Sequence, residues 1–294
     1  MGIDNESDAD TVRRSRQSPA AFADLFDRHA VAVHRYAARR VGGPGRRTHR
    51  GHPASPADRH TLSDMSGFAG IPADAAAFYS ELAEHNTREW WAANADRYEA
   101  SVRQPVTELT DALSAEFGEA KIYRPHRDLR YTTDKTPYKD RQGAVVQLAD
   151  GMGLYLAVGP GGLTTGGGSF HNSPDQVERY RAAVDDEAAG TRLESIVEQL
   201  RGQRFVVGGD LLKTRPRGVA PDHPRVELLR HKSLIAWRDH GMPAWVASAR
   251  VVGRVRADWR AIRPLGEWLA THVGPAAPAA PAATPAPAPR VVRG

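Results

Sequence analysis

The 294-residue chain contains no cysteine, no long apolar segment and very little lysine. Without cysteine it can form no disulfide, thiolate metal site or thiol nucleophile. No apolar run approaches the roughly 20 residues that are needed to cross a bilayer. The first residues, MGIDNESDADTVRRSRQ, are polar and lack the apolar stretch of a secretory signal. These absences exclude a membrane partner, and we expect the protein in the cytoplasm.

Positive charge is concentrated at the two ends of the chain. Of the formal net charge of +5, residues 1–64 contribute +3 and the residues after 274 contribute +2. Residues 65–274 hold 27 basic and 27 acidic side chains and are neutral. Bulk charge therefore gives no reason to expect that this central part binds nucleic acid.

Composition divides the chain into three parts. Residues 18–42 carry apolar side chains at helical spacing, and the residues that follow are almost free of apolar groups, which predicts a disordered linker. Residues 275–294 form an Ala/Pro-rich tail, which is expected to be disordered. We therefore predict one domain over residues 65–274, preceded by an extension over residues 1–64.

The central domain has the pattern of an α+β fold, with several helices packed on a small antiparallel or mixed sheet. Short neighbouring strands favour such a sheet over a doubly wound one. The predicted strands are 121–133, 143–149, 153–158, 163–170 and 204–207. The predicted helices are 74–83, one capped by Asn86 and divided at Pro105, one capped by Ser173, 192–200, 223–237, and 244–273 with an interruption near Pro264.

A basic segment stands out inside this neutral domain, because residues 121–141 hold seven basic and three acidic side chains. On a strand, alternation places Arg124, Asp128 and Arg130 on one face. Neighbouring guanidinium groups repel each other unless an anion lies between them. Asp128 is one such anion, and a phosphate or carboxylate held bidentately is another. A solvated strand face with ion pairs is the alternative reading.

Lysine usage points to the same segment. The chain has five lysines against 35 arginines, and two of the five are Lys135 and Lys139. An ammonium group is a compact point charge with a tunable pKa, which arginine does not provide. Lysine at these positions therefore indicates a specific role as a point charge or an acid, and Tyr138 between them is a candidate proton donor.

A glycine-rich stretch precedes the helix that is predicted to begin at Ser173. It lacks the Gly-Lys-Ser/Thr ending of a phosphate-binding loop. The free amides at the start of the helix are nevertheless suited to an anion, so Gly167, Gly168 and Ser173 are further candidate ligand-binding residues. The alternative is a glycine-broken strand end.

Metal and cofactor sites have no support in the sequence. The histidines at 171, 223, 231 and 240 show no ligand spacing, so no metal site is predicted and no cofactor is implied. The six tryptophans, including Trp237, fit helical faces, which favours core packing over base stacking.

The basic segment resembles the hallmark of the family called domain of unknown function 2461, which has the form RxxRDxRF followed by Asp/Asn-Lys and Tyr. The matching residues are Arg124, Arg127, Asp128, Arg130, Asp134, Lys135 and Tyr138, with Tyr131 in the Phe position. Asn86-Thr-Arg-Glu-Trp-Trp91, Gly209-Asp-Leu-Leu-Lys213 and Leu228-Leu-Arg-His-Lys-Ser233 match further family motifs. The resemblance spans about 200 residues and implies no established activity.

Residues 18–42, SPAAFADLFDRHAVAVHRYAARRVG, resemble the opening of region two in extracytoplasmic-function sigma factors. The resemblance stops after about 25 residues. Because the helices that grip RNA polymerase and the second DNA-binding domain have no counterpart, we do not expect polymerase binding or transcription activity from this fragment.

Three functions follow as hypotheses. In the first, the domain binds or acts on a small phosphate- or carboxylate-bearing ligand; Arg124, Arg127, Arg130 and Asp134 contribute to binding, and Asp128, Lys135, Tyr138 and Lys139 are the candidate catalytic groups. In the second, the same charges form a structural ion-pair network in a non-catalytic interaction module. In the third, the protein is a vestigial sigma-factor fusion. The sequence names no reaction.

Overall fold

The computed structural model describes residues 68–127, 135–149 and 152–276. Within these ranges six strands form one sheet in which every neighbouring pair is antiparallel. Helices pack against this sheet, so the predicted α+β class is confirmed, with an antiparallel rather than a mixed sheet. The extension, the tail and the proposed sigma-like helix lie outside the described residues.

The elements are numbered in chain order. The helices are α1 Asp74–Glu84, α2 Arg88–Tyr98, α3 Gln104–Phe117, α4 Pro174–Asp185, α5 Glu187–Gly202, α6 Val226–Leu229 and α7 Arg250–His272. The strands are β1 Lys121–Ile122, β2 Gln142–Ala149, β3 Met152–Gly159, β4 Gly162–Ser169, β5 Val206–Gly208 and β6 Leu234–Gly241. Their order in the sheet is β1-β2-β3-β4-β6-β5.

The second helix begins one residue later than predicted. Thr87, not Asn86, is its N-cap, and the Thr87 hydroxyl accepts a hydrogen bond from the Trp90 amide at 3.2 Å. A π-helical turn over Glu99–Arg103 separates α2 from α3, and Pro105 lies in the first turn of α3, where its missing N–H costs little. The predicted division near Pro105 is therefore confirmed.

Helix α7 packs across the middle of the sheet. The Trp259 indole donates to the Tyr155 carbonyl at 3.1 Å, and Ile262 lies against Gly167 of β4. Pro264 lies inside this helix without ending it, so the predicted interruption was wrong. Burial of the apolar face of the helix outweighs the loss of one backbone hydrogen bond.

The long strand predicted over residues 121–133 was wrong over residues 123–127, and its remaining residues lie outside the described ranges. The chain leaves the sheet there, and His126 forms only an isolated bridge with Tyr138. Apolar and basic residues alternate in this segment as in a strand, but β2 pairs with β1 over only two residues. The pattern predicted extended structure without showing where its partner strand ends.

The helix predicted over residues 223–237 was also wrong. Only Val226–Leu229 is helical, and the chain then enters β6, which lies between β4 and β5. The Lys232 amide donates to the Asp210 carbonyl at 2.7 Å and fixes the change of direction. A short apolar run such as Leu-Ile-Ala-Trp does not distinguish a buried strand from a helix.

Candidate functional site

The basic segment forms a hairpin between β1 and β2, here called the basic hairpin (residues 121–141, described except for 128–134). Its two arms are held by backbone hydrogen bonds around the His126–Tyr138 bridge. The Arg127 amide donates to the Pro137 carbonyl at 2.9 Å, and the Lys139 amide donates to the Pro125 carbonyl at 2.8 Å. The two arms therefore place Arg127 opposite Pro137 and Lys139 opposite Pro125.

Tyr138 is fixed by residues before and within α2. The Asn86 amide group donates to the Tyr138 carbonyl at 3.0 Å, and its oxygen accepts from the Tyr138 amide at 3.1 Å. The Trp91 ring stacks on the Tyr138 ring at 4.1 Å between centroids and 10° between planes. The His126 ring lies 5.0 Å from the Tyr138 ring. Tyr138 is consequently buried, and its position is determined by the first helices of the domain.

Lys139 is buried although lysine is rarely found inside proteins. It is 5% exposed, and its ammonium lies 5.2 Å from the centroid of the Tyr123 ring, within reach of a cation–π interaction. Gln142 secures the base of the hairpin by donating to the Tyr123 carbonyl at 2.9 Å and accepting from the Tyr98 hydroxyl. Burial raises the pKa of Tyr98 to about 12, so this hydroxyl remains protonated.

Asp140 brings a carboxylate into the same cluster. Burial alone would raise its pKa, but two hydrogen bonds from Arg141 at 3.0 Å, with the positive charges of Arg141 and Arg127, lower it below the ordinary value. Asp140 is therefore ionised and neutralises part of the positive charge.

The other charged residues that the sequence predicted for this site are either exposed or outside the described residues. Arg124 and Lys135 are exposed on the described arms of the hairpin. Asp128, Arg130 and Asp134 lie outside the described residues, so their proposed roles stay predictions. The described part of the site therefore consists of a buried half around Tyr138 and Lys139 and an exposed half around Arg124 and Lys135.

Gly167 and Gly168 lie inside β4 rather than at a free helix start. They pair with Leu154 and Gly153 of β3 on one side and with β6 on the other. A side chain at Gly167 would approach the Ile262 methyl at 2.9 Å. The structure therefore supports a packing role for these glycines, in which the sheet lets α7 approach closely.

Ser173 caps α4 as predicted, but its hydrogen-bonding partners are residues in the first turn of the same helix. The Ser173 amide donates to the Gln176 side chain at 2.9 Å, and the Asp175 carboxylate lies in the first turn. Ser173 follows β4 at one end of the sheet, whereas the basic hairpin enters β2 at the other end. Because the eight residues of β4 span roughly 24 Å, Ser173 and Lys139 do not hold one small anion together.

A polar cluster that the sequence did not reveal joins β4, β6 and α7. The buried Asp258 carboxylate lies 2.7 Å from both the Thr165 hydroxyl and His240 Nε2, and it accepts from Arg238 at 2.6 Å. Both close partners of His240 contact the same nitrogen, Nε2. A catalytic triad uses the two different ring nitrogens. This cluster therefore fits a structural role under α7.

Two further observations concern other kinds of site. In the part of the chain that the structure describes, no three histidine or acidic side chains gather as metal ligands do. A groove of about 520 Å³ between the segment that precedes α1 and the first turns of α3 is lined mainly by small apolar residues, and its one charged lining residue is Glu108. A carboxylate in this position disfavours an anionic ligand there.

Comparison with known proteins assigns the family. Residues 74–268 match the family described as a conserved hypothetical protein, DUF2461, and the chain belongs to this family. The match covers the sheet, the basic hairpin and α7, in agreement with the resemblance found in the sequence motifs. No curated protein and no solved structure matches the chain. The sigma-factor resemblance of residues 18–42 gains no support from these comparisons and stays a prediction.

None of the helices in the described ranges is both long enough and apolar enough to pass through a bilayer.

Proposed function

We propose that the domain binds a small anionic ligand, bearing a phosphate or a carboxylate, at the basic hairpin. The observation that carries the proposal is the buried ammonium of Lys139, which is 5% exposed beside Tyr123 in an arm that Asn86 and Trp91 hold in place. An ammonium is a compact point charge of the kind that binds an anion, and the same hairpin carries the guanidinium groups of Arg124 and Arg127.

Arg127 and Arg124 extend the positive charge from this buried ammonium toward the surface. Guanidinium groups bind phosphates and carboxylates through two parallel hydrogen bonds, whereas an ammonium acts as a point charge. In the proposed site Lys139 and Arg127 hold the anion, and the roles predicted from the sequence for Asp128, Arg130, Asp134 and Lys135 stay predictions. We expect the protein to act in the cytoplasm, in keeping with its cysteine-free sequence.

Thermal unfolding of the full chain with inorganic phosphate, sulfate or succinate, against sodium chloride at equal ionic strength, tests the proposal. At 100 times its dissociation constant an anion stabilises by about 2.7 kcal/mol, which raises the melting temperature by roughly 5–10 °C for a domain of this size. Lys139→Met should abolish this rise. Lys213→Met, which removes an exposed lysine elsewhere, should leave it unchanged.

Each variant is compared with its own melting temperature without ligand, so a change in intrinsic stability does not affect the result. Should Lys139→Met fail to fold, Arg124→Gln at an exposed position provides a second test and should reduce the rise. The proposal fails when none of the anions raises the melting temperature of the parent protein.

A structural role of the same charges is the second candidate function. Its support is the pair between Asp140 and Arg141, in which two side chains of the hairpin already neutralise each other. In that case the domain is a non-catalytic interaction module. Anions then leave the melting temperatures of both the parent and Lys139→Met unchanged. Arg141→Gln lowers the melting temperature, because it breaks the pair with Asp140.

A further inference from the structure

Three arginines on one side of α7 meet a single carboxylate from α3. Arg256, Arg260 and Arg263 are separated by four and three residues, a spacing that places them on one helix face. Their guanidinium groups lie 3.5, 2.7 and 3.6 Å from the Glu116 carboxylate, respectively. The next carboxylate along α7, Glu267, forms no ion pair with them among the described residues. The three arginines, here called the arginine face, therefore keep an excess of positive charge.

Glu116 neutralises this charge only in part. Two hydrogen bonds from Arg260, at 2.7 and 2.9 Å, and the positive charges of all three arginines lower the pKa of Glu116, so this carboxylate is ionised. Arg256 lies at ion-pair distance from it and donates one hydrogen bond elsewhere, to the Ala112 carbonyl at 3.4 Å. Arg263 lies at ion-pair distance without a hydrogen bond to it. Since a guanidinium has several N–H groups, Arg256 and Arg263 can still donate to carboxylates on another molecule.

The arginine face is accessible to such a molecule. Arg260 is 61% exposed, and Arg263 is 42% exposed. The Arg263 guanidinium lies 5.1 Å from the centroid of the Phe117 ring, a distance at which a cation–π interaction stabilises its position. Side chains that are held in place before binding lose less conformational entropy when a partner docks. The arginine face is therefore exposed and partly preorganised.

Leu148 of β2 places an exposed apolar side chain beside these charges. At 45% it is the most exposed large apolar side chain of the described residues. It lies in a β-bulge between Gln147 and Ala149, where the register of β2 on β3 shifts, and bulges of this kind redirect a side chain. Leu148 Cδ1 lies 3.1 Å from the point where a Cβ at Gly266 would stand. Since Gly266 follows Arg263 by three residues, the two positions are neighbours on α7.

We infer that the arginine face and Leu148 form a docking surface for an acidic segment of a partner protein that also presents an apolar side chain. Arginine is enriched at protein interfaces, whose buried centres are more apolar than the remaining surface. Excess positive charge selects a partner that carries carboxylates. A sugar–phosphate backbone would also pair with guanidinium groups, but it offers no apolar contact to Leu148. None of these residues belongs to the basic hairpin, so the inference is independent of the proposed function.

Selection from a phage-displayed library of random twelve-residue peptides against the full chain tests the inference. The selected peptides should combine several aspartates or glutamates with a large apolar residue. Each selected peptide is then synthesised, and its affinity for the full chain is measured by fluorescence polarisation. The affinity should fall as the concentration of sodium chloride rises, because salt screens attraction between exposed charges.

Variants of the full chain locate the contact. The double variant Arg260→Gln/Arg263→Gln should lower the affinity for the selected peptides about tenfold, and Leu148→Ser should also weaken binding. Arg254→Gln is the matched control, because Arg254 is an exposed arginine of the same helix that lies over the Trp245 ring instead, and it should leave the affinity unchanged. Arg263→Glu should bind a peptide only after one of its acidic residues is changed to lysine.

The inference is overturned when the selection yields no binding peptide, or when the selected peptides are not enriched in acidic residues. Equal affinities of the parent and the double variant overturn it as well. A twelve-nucleotide oligothymidylate serves as the competing probe. If it binds the parent more tightly than the peptides do and loses this affinity in the double variant, the arginine face belongs to a nucleic acid and the inference is wrong. Melting temperatures of the variants verify that each one is folded.

Discussion

At the scale of single residues, Asn86 determines where the basic hairpin lies. Its side-chain amide both donates to and accepts from the backbone of Tyr138, at 3.0 and 3.1 Å, as a neighbouring strand would. Because Asn86 is engaged in this way, Thr87 takes over as the cap of α2. One side chain thus couples the start of a helix to the position of the candidate site 52 residues later.

His231 provides a prediction on pH. Burial lowers its pKa from 6.5 to about 4, so the ring is neutral in the folded protein while the unfolded chain takes up a proton. Protons then bind preferentially to the unfolded state between these two values. The free energy of unfolding should fall as the pH drops from about 6.5 to about 4, by at most roughly 3 kcal/mol from this residue.

Urea denaturation at a series of pH values checks this expectation. His231→Gln should flatten the dependence between about pH 4.5 and 6.5, whereas the exposed control His85→Gln should retain it. A hydrogen bond from Arg97 lowers the pKa of Asp74, and one from Arg260 lowers the pKa of Glu116. The contributions of these carboxylates to the free energy of unfolding are therefore lost at lower pH than the contribution of His231. A parent and a His231→Gln variant with the same slope would contradict the prediction.

At the scale of elements, the side chains of α7 pack directly on the backbone of β4. Gly167 leaves room for Ile262, whose methyl would lie 2.9 Å from an added Cβ. Gly167→Ala should therefore destabilise the protein by about 1–3 kcal/mol, because the helix must move away from a packed sheet. Chemical denaturation measures this change.

Two further variants make the Gly167 experiment specific. Gly161→Ala is the control, because an added Cβ in that turn meets no atom within 4 Å, and it should change stability little. Combined with Ile262→Ala, the Gly167 change should cost less than the sum of the two single changes, since both act on one contact. Additive effects would show that the two residues do not meet in this way.

The elements also show where sequence patterns are ambiguous. The helices α1, α4 and α5 were predicted because each has an apolar stripe, and α4 also has a start signal at Ser173. The hairpin of β3 and β4 was predicted because turn residues separate two runs of strand-forming residues. The strand β6 was missed because its apolar run is short and follows a single helical turn. Its place between β4 and β5 depends on partners distant in sequence.

At the scale of the whole molecule, the described core extends a few residues beyond each end of the family match. The side chains of the larger cluster come from residues 68 to 273, and the smaller cluster lies within the same range. A chain of residues 65–276 should therefore fold alone and unfold in one cooperative transition, with a free energy of unfolding within about 1 kcal/mol of that of the full chain.

Circular dichroism and urea denaturation of the two chains measure this difference. A broad transition, or a loss of several kcal/mol on truncation, would show that residues outside 65–276 contribute to the core. Phosphate titrations of the short chain further establish whether the anion site belongs to the domain itself.

The amino-acid sequence by itself determined the α+β class, most helices, the family and the basic segment. These depend on local periodicity, capping and composition, which act between residues close along the chain. Only the tertiary structure decided that Lys139 is buried, that Gly167 and Gly168 serve packing, and that Trp237 lies buried in a strand and not on a helical face. Burial and strand order depend on contacts between distant segments, and no local pattern encodes those contacts.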